Sequence, residues 1–231
     1  MLIGGLQPVT LLDYPNKVAA IIFTAGCNMR CPFCYNPELV LPDLIKDDKL
    51  YKQDEVIKFL KKRKKYLDGL VITGGEPTLQ EDLIDFLGLM KEIGYQIKLD
   101  TNGINYKVLK NVVKDGLVDY LAMDIKGPLD SYDKFCGVKN FKEVEKSIEL
   151  VRSCGLPYEF RSTLVRGLHE LADMEKMAKM IAGAKLYYLQ NYRREDKQVD
   201  DDFVGAGFSR ADLKGFKEIA QKYLEKCIVR G

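Results

Sequence analysis

LVITGGEPTLQEDLIDFLGLMKEIGYQIKLD, residues 70–100, holds a complete strand–helix–strand unit. Leu70–Thr73 is a short, β-rich apolar run stopped by Gly74 and Gly75. Glu81–Ile93 has the apolar spacing of a helix, and Gly94 is the usual residue for the left-handed turn that ends one. Gln96–Asp100 is a second strand. Two strands joined through a helix run parallel, with the helix packed on one face.

The alternation extends in both directions. Upstream, Lys17–Thr24 is a strand bounded by Pro15 and Gly26, and Gln53–Lys65 is a helix with Val56, Ile57, Phe59 and Leu60 on its apolar side. Downstream follow a helix at Tyr106–Asp115, a strand at Tyr120–Asp124 and a helix at Phe141–Ser153 ended by Gly155. A strand at Tyr158–Leu164, a helix at Glu170–Ile181, a strand at Leu186–Gln190 and a closing helix at Arg210–Lys226 complete the series. Six units in about 210 residues are too few for a closed eight-fold barrel of ~250 residues. The expected fold is therefore α/β, a partial (βα)6 open TIM-like barrel. No internal repeat, Pro/Ser-rich linker or low-complexity tract interrupts the pattern, so residues 1–231 are expected to form a single domain.

The chain has 231 residues and is 46% hydrophobic, enough to bury a substantial core. Its 36 basic residues against 34 acidic ones leave a net charge of +2, which predicts no non-specific grip on nucleic acid or membrane surfaces. The basic run at Lys61, Lys62, Arg63, Lys64 and Lys65 reads as the solvated face of a helix. No apolar run approaches the roughly 20 residues of a membrane span, and no secretion signal is evident, so a cytoplasmic location is expected. Thiols stay reduced there, and the six cysteines read as metal ligands or buried small residues rather than disulfides. Cys136, Cys154 and Cys227 lack ligand spacing, and at least two of them are expected to be packed thiols.

Cys27, Cys31 and Cys34 are different. They fall within eight residues directly after the first strand, spaced by three and two residues. Three thiolates in one short loop bind three irons of a [4Fe–4S] cubane and leave the fourth open to a small molecule. A structural zinc site is the competing reading, but it normally needs four ligands, and no fourth lies nearby.

The polar residues gather at strand ends. Gly74–Glu76, Asp100–Asn102, Asp124–Lys126, Arg161 and His169 lie at, or just beyond, the carboxyl ends of strands (Arg161 within one). In parallel α/β folds that rim is where ligands bind. Gly74-Gly75-Glu76-Pro77 alone is also consistent with a plain turn, and Asp100-Thr101-Asn102 with a helix cap. Arg161, inside an apolar strand, requires an anionic partner, supplied either by a ligand or by a neighbouring side chain.

C-x3-C-x2-C after a strand, followed by Gly74-Gly75-Glu76-Pro77, resembles the radical S-adenosylmethionine (SAM) superfamily. Gly5-Leu6-Gln7-Pro8, Leu12-Asp13-Tyr14-Pro15, Phe23-Thr24-Ala25-Gly26-Cys27-Asn28 and Asn36-Pro37-Glu38-Leu39 narrow the likeness. Together they resemble activating proteins of anaerobic ribonucleoside-triphosphate reductases, relatives of the pyruvate formate-lyase activases. One departure stands out: Tyr35 follows the third cysteine, where activases usually carry histidine.

The resemblance implies a cluster on Cys27, Cys31 and Cys34 whose open iron chelates SAM, with release of a 5′-deoxyadenosyl radical. It implies that Gly74, Gly75 and Glu76 bind the methionine amino group. Asp100, Thr101, Asn102, Asp124, Lys126 and Arg161 would face the same cofactor, with Asp100 and Asp124 jointly holding a monovalent cation. Phe33, Tyr35 and His169 would approach the adenosine, although packing beneath the loop remains open for Phe33. The implied partners are a glycyl-radical enzyme, anaerobic ribonucleotide reductase first, and reduced flavodoxin or ferredoxin as electron donor. Radical chemistry on a small molecule such as a nucleoside precursor is the alternative enzyme, and a zinc-stabilised binding module the alternative without turnover.

Overall fold

A computed structural model describes residues 1–139 and 141–230. Asn140 and Gly231, both inside the expected single-domain span, lie outside the described residues. The chain divides into two compact units. The first comprises Met1–Asn28, Asn36–Thr101 and Asn105–Leu121; the second comprises Met29–Tyr35, Asn102–Ile104 and the chain from Ala122 onward.

In the first unit, β1 (Ile3–Thr10), β2 (Ala19–Thr24), β3 (Gly69–Gly74) and β4 (Gln96–Thr101) alternate with α1 (Pro37–Val40), α2 (Gln53–Arg63) and α3 (Leu83–Ile93), and α4 (Tyr106–Lys114) follows. β2 and β3 run parallel from Ala19 opposite Gly69 to Thr24 opposite Gly74, and β3 is parallel to β4. Their residues are buried along nearly the whole strand, which explains why they read as continuous apolar runs and not as alternation. α3 buries Leu83, Phe86, Leu87 and Met90, a stripe at helical spacing in which each side chain contributes roughly 1.5–3 kcal/mol. Gly94, at φ 97°, stops it by donating to Lys91 O, while Tyr95 N donates to Met90 O.

β5 (Tyr120–Asp124) leads into the second unit, followed by α5 (Tyr132–Cys136), α6 (Lys142–Ser153), β6 (Tyr158–Leu164), α7 (Leu171–Met180), β7 (Tyr187–Asn191), α8 (Arg210–Ala220) and β8 (Cys227–Arg230). β6, β7 and β8 are mutually parallel. Phe160, Leu164, Met174, Met177, Tyr187 and Leu189 are fully buried there. α8 opens on a reciprocal cap, Ser209 Oγ accepting from Asp212 N and Asp212 Oδ2 accepting from Ser209 N.

In sheet order the strands follow the sequence from β1 to β8, and β1 and β8 are not neighbours, so the barrel is open as expected. The six expected units are β2–α2 through β7–α8. Two strands at the edges were not expected. β1 pairs antiparallel with β2; its Gly4, Gly5 and Pro8 and its mostly half-buried or exposed residues give neither alternation nor an apolar run. β8 begins directly after the span read as the closing helix, Arg210–Lys226; α8 itself ends at Ala220, and only Ile228 and Val229 signal a strand. No helix among the described residues is long and apolar enough to cross a membrane.

Candidate cofactor site

In the first unit the ends of β2 and β3 lock the chain just before Cys27. Ala25 N donates to Leu2 O and Gly26 N to Leu39 O, at 2.9 and 2.7 Å. Gly75 N donates to Thr24 O and Glu76 N to Gly26 O, both at 2.8 Å. Glycine is required at both positions of the pair: a Cβ on Gly74, whose φ is 114°, would meet Thr24 N at 2.4 Å, and one on Gly75 would meet Gly26 O at 2.1 Å. Packing against β2 therefore demands these glycines whatever ligand they hold.

Glu76 is 1% exposed, and its Oε1 accepts from Thr78 N, Thr78 Oγ1 and Thr101 Oγ1 at 3.0, 2.6 and 2.8 Å. The bond to Thr101 joins the ends of β3 and β4. Asp100 accepts from Lys98 Nζ at 2.6 Å, and both residues are buried. The Asp100–Asn102 run does not cap the next helix, since α4 begins at Tyr106 with Asn105 in the cap position.

In the second unit the remaining cysteines sit in a loop held by backbone bonds. Arg30 N donates to Cys136 O at 2.8 Å, and Cys34 N to Cys31 O at 3.1 Å. The chain after β7 is strapped to this loop: Val199 N donates to Cys34 O and Asp200 N to Pro32 O, at 2.9 and 3.3 Å. Tyr35 belongs to the strap contact. Its hydroxyl accepts from Arg193 N at 3.0 Å and its ring stacks on Tyr192 with centroids 5.5 Å apart, while burial raises the phenol pKa. Phe33 is buried beside Phe203 and His169.

Asp124 Oδ1 accepts from Arg161 Nε at 2.8 Å and Oδ2 from Lys126 Nζ at 3.0 Å. The anion required by Arg161 is thus supplied within the unit. Burial pushes the Asp124 carboxyl up, but the two cations overcome it and hold it well below the usual carboxylate range. Burial pulls Lys126 down, and Asp124 together with Cys31 more than restores it, so the ammonium keeps its proton throughout the physiological range.

His169 is 3% exposed, with Nδ1 accepting from Val165 N at 3.2 Å and Nε2 within 3.0 Å of Lys126 O. Those contacts assign the neutral ring with its proton on Nε2. The imidazole supports the Asp124–Lys126 turn and packs on Phe135, centroids 4.8 Å apart. Asn102 Oδ1 accepts from Ile104 N at 3.0 Å, closing a local turn.

Several contributors carry no sequence motif. Lys98 is detectable as a charge in an apolar strand, two residues before Asp100 and therefore on the same face. Tyr132, buried beside Lys126, and the Tyr192–Phe203 strap give no such signal.

All six cysteines are outside disulfides. Cys136 and Cys227 are buried packed thiols, and burial raises Cys227 to about 11. Cys27, Cys31 and Cys34 are thiols too, and thiolates are the donors an iron–sulfur cluster takes. Among the described residues no three His, Cys, Asp or Glu side chains gather as around one metal ion. A cubane instead places one thiolate on each of three irons.

A model of the radical SAM superfamily matches residues 21–181, more than half of the chain. The chain belongs to the radical SAM superfamily. A Methanocaldococcus jannaschii protein provisionally named a glycyl-radical enzyme activating enzyme is 32% identical over 99% of this chain and 95% of its own length. The pyruvate formate-lyase-activating enzyme of Clostridium pasteurianum is 29% identical over 98% of this chain and 96% of its own. A GTP 3′,8-cyclase of Helicobacter pylori is 26% identical over 92% of this chain and 66% of its own. Streptococcus suis SuiB, solved with S-adenosylmethionine bound, superposes with a TM-score of 0.67 at 16% identity. The match covers 91% of this chain and 52% of SuiB, so this radical SAM enzyme spans about half of that structure and shares its fold. A [4Fe–4S] cluster and S-adenosylmethionine are the cofactors of the superfamily.

Gly75→Ala is expected to lower unfolding free energy by about 1–3 kcal/mol through overpacking. It should also lower iron retention after anaerobic reconstitution, because the strand end before Cys27 is displaced. Denaturant titration and iron assay check both, and two unchanged values would show that the close approach is dispensable.

Burial lowers the His169 pKa below its ordinary 6.5, outweighing the two backbone contacts. As pH falls the unfolded chain takes the proton first, so the stability from the neutral ring is complete above about pH 6.5 and lost as pH drops toward the folded value. Unfolding free energy should therefore fall more steeply between about pH 7.5 and 5.5 in the wild type than in His169→Gln. Parallel slopes would contradict a neutral buried imidazole.

Proposed function

We propose that this radical SAM enzyme is an activase that places a glycyl radical on a partner enzyme, anaerobic ribonucleoside-triphosphate reductase being the partner favoured by the sequence resemblance. The observation that carries this reading is similarity along nearly all of both chains to relatives named as activating enzymes. Residues 1–231 act in this reading as one radical SAM core domain, cytoplasmic, with reduced flavodoxin or ferredoxin as the electron donor.

Cys27, Cys31 and Cys34 hold the cluster. When bound, the cluster supplies the electron that cleaves S-adenosylmethionine to methionine and the 5′-deoxyadenosyl radical. The protein's own residues bind and orient. Gly74, Gly75 and Glu76 take the methionine amino group; the three donors on Glu76 Oε1 keep that carboxylate from turning. Lys126 and Arg161 both bind the Asp124 carboxylate, and in this reading the two cations turn toward the methionine carboxylate. Asp100, Thr101 and Asn102 contribute to the same cofactor. Phe33, Tyr35 and His169 border the adenosine, with His169 keeping the loop after β5 in place through Lys126 O.

A second reading, radical chemistry on a nucleotide or nucleoside precursor, is favoured by the similarity to a GTP 3′,8-cyclase. One experiment separates the two. Reduced, anaerobically reconstituted protein is mixed with S-adenosylmethionine and anaerobic ribonucleotide reductase, and the mixture is examined by paramagnetic resonance. A glycyl doublet on the reductase is expected, and Cys31→Ala should lose both the bound iron and the doublet. Deoxyadenosine formation that depends on a nucleotide, with no doublet, would favour the second reading.

A further inference from the structure

Helix α2 ends in a stretch without a carboxylate. Between Glu55 and Asp68 the chain carries Lys58, Lys61, Lys62, Arg63, Lys64 and Lys65. Lys58, Lys61, Lys62 and Lys65 are exposed and recur at the spacing of one helical face, while Val56 and Leu60 are buried on the other. None of these four lysines has an ion-pair partner among the described residues.

Three other helices treat exposed lysines differently. Lys146 pairs with Glu143, Lys179 with Glu175 and Lys214 with Glu218, each about one turn away. Like charges at that spacing destabilise a helix, as at Lys58 and Lys62 within α2. The helix C-terminus favours cations in its last turn, which accounts for Lys61 and Lys62 but neither for Lys58 nor for the missing carboxylates. Beside the stripe Tyr66 is 57% exposed, with Lys65 Nζ 4.7 Å and Arg63 Cζ 5.3 Å from its ring centroid. Tyrosine and arginine are residue types that anchor protein interfaces.

We propose that this face of α2 docks an acidic surface of the partner enzyme that receives the glycyl radical. The inference rests on the activase reading. Charge complementarity selects an anionic partner, and the footprint selects a protein. From Lys58 to Lys65 the stripe is about 10 Å long at ~1.5 Å per residue. Exposed Asp54 and Glu55 close one end and exposed Asp68 the other. A duplex phosphate backbone, with one charge every ~1.7 Å, runs past those limits into like charge, whereas an acidic helix or turn ends within them. The stripe leads into the amino end of β3, about 17 Å of strand from Gly74 at ~3.3 Å per residue. An electron carrier must reach the carboxyl ends of the strands, where Cys27 follows β2; a large partner presenting one loop there gains a second hold here. Steering by such a patch acts chiefly on the association rate.

The test is association of the anaerobically reconstituted protein with anaerobic ribonucleotide reductase at about 0.05 and 0.3 M potassium chloride. Wild-type association should slow about tenfold at the higher salt. A variant with Lys58→Glu, Lys61→Glu, Lys62→Glu and Lys65→Glu should associate at least about tenfold more slowly at low salt and lose that salt dependence. Its bound iron, and its dithionite-driven cleavage of S-adenosylmethionine without the reductase, should equal wild type. Glutamine at the same four positions keeps helix propensity and should show a smaller loss in the same direction. A control with Lys146→Glu, Lys176→Glu, Lys179→Glu and Lys214→Glu makes the same change in net charge and should stay within about threefold of wild type.

Association unchanged in both stripe variants, or an equal loss in the control, would overturn the proposal. So would stripe-dependent binding of a single-stranded RNA more tightly than the reductase, which marks a nucleic-acid site. Slower reduction by flavodoxin with reductase association intact marks a carrier site and overturns it as well. Should the wild type neither bind the reductase nor give it a glycyl doublet, the activase reading fails and takes the inference with it. Should it give the doublet while association ignores the stripe, the inference alone fails. Where the glutamate variant melts below the assay temperature, the glutamine variant decides.

Discussion

The hydrogen bond from Glu76 N to Gly26 O, with Gly75 pressed against the same carbonyl, sets where the cysteine loop leaves β2. Without a Cβ at residue 75 the end of β3 closes on the chain one residue before Cys27; with one, the two strand ends must part. Glu76 continues from that contact, its carboxylate drawing in Thr78 and Thr101 and so fixing the end of β4 to the end of β3. The approach to Cys27, the glycine pair and the Asp100–Thr101 corner are thus parts of one arrangement in the first unit. Motif residues that look like separate ligand contacts in sequence also hold one another in place.

The second unit solves an electrostatic problem instead. A carboxylate, an ammonium and a guanidinium are packed together where side-chain exposures are 26%, 20% and 16% for Asp124, Lys126 and Arg161. Each charge taken alone would be costly to bury, and together they remain ionised because each opposes the desolvation of the next. The Asp124 carboxylate and the Lys126 ammonium therefore both stay charged near neutral pH. Neutral His169 beside them adds no third cation, because burial keeps its ring unprotonated while both nitrogens serve the backbone.

Much of this was legible in the sequence, for reasons that differ by element. β2 through β7 and their helices were readable because strands buried on both faces leave apolar runs, and Gly94 and Gly155 mark helix ends. β1 and β8 were not, since an edge strand with Gly-Gly and Pro and a four-residue strand after a helix carry little local pattern. The cysteines and the strand-end polar residues were readable as motifs. What escaped was the role of residues defined only by contact: Thr78 through its bonds to Glu76, Tyr132 through its burial, and Lys98 through a strand-face relation to Asp100.

Tyr35 shows how a departure from a family pattern acquires a physical account. Where related activases usually carry histidine, a phenol here reaches Arg193 N and its ring lies over Tyr192. Tyr192 in turn donates to Gln198 Oε1 at 2.8 Å, Gln198 Nε2 donates to Phe203 O at 2.6 Å, and the Phe203 ring meets Phe33 between two of the cysteines. With Val199 N on Cys34 O, the strap after β7 is tied to the cysteine loop at its start, middle and end. An imidazole is shorter than a phenol and would carry its polar atoms nearer the backbone, leaving Arg193 N without this acceptor. The tyrosine is therefore better understood as one member of a clasp whose other members lie some 160 residues away in sequence than as a substitution at a single contact.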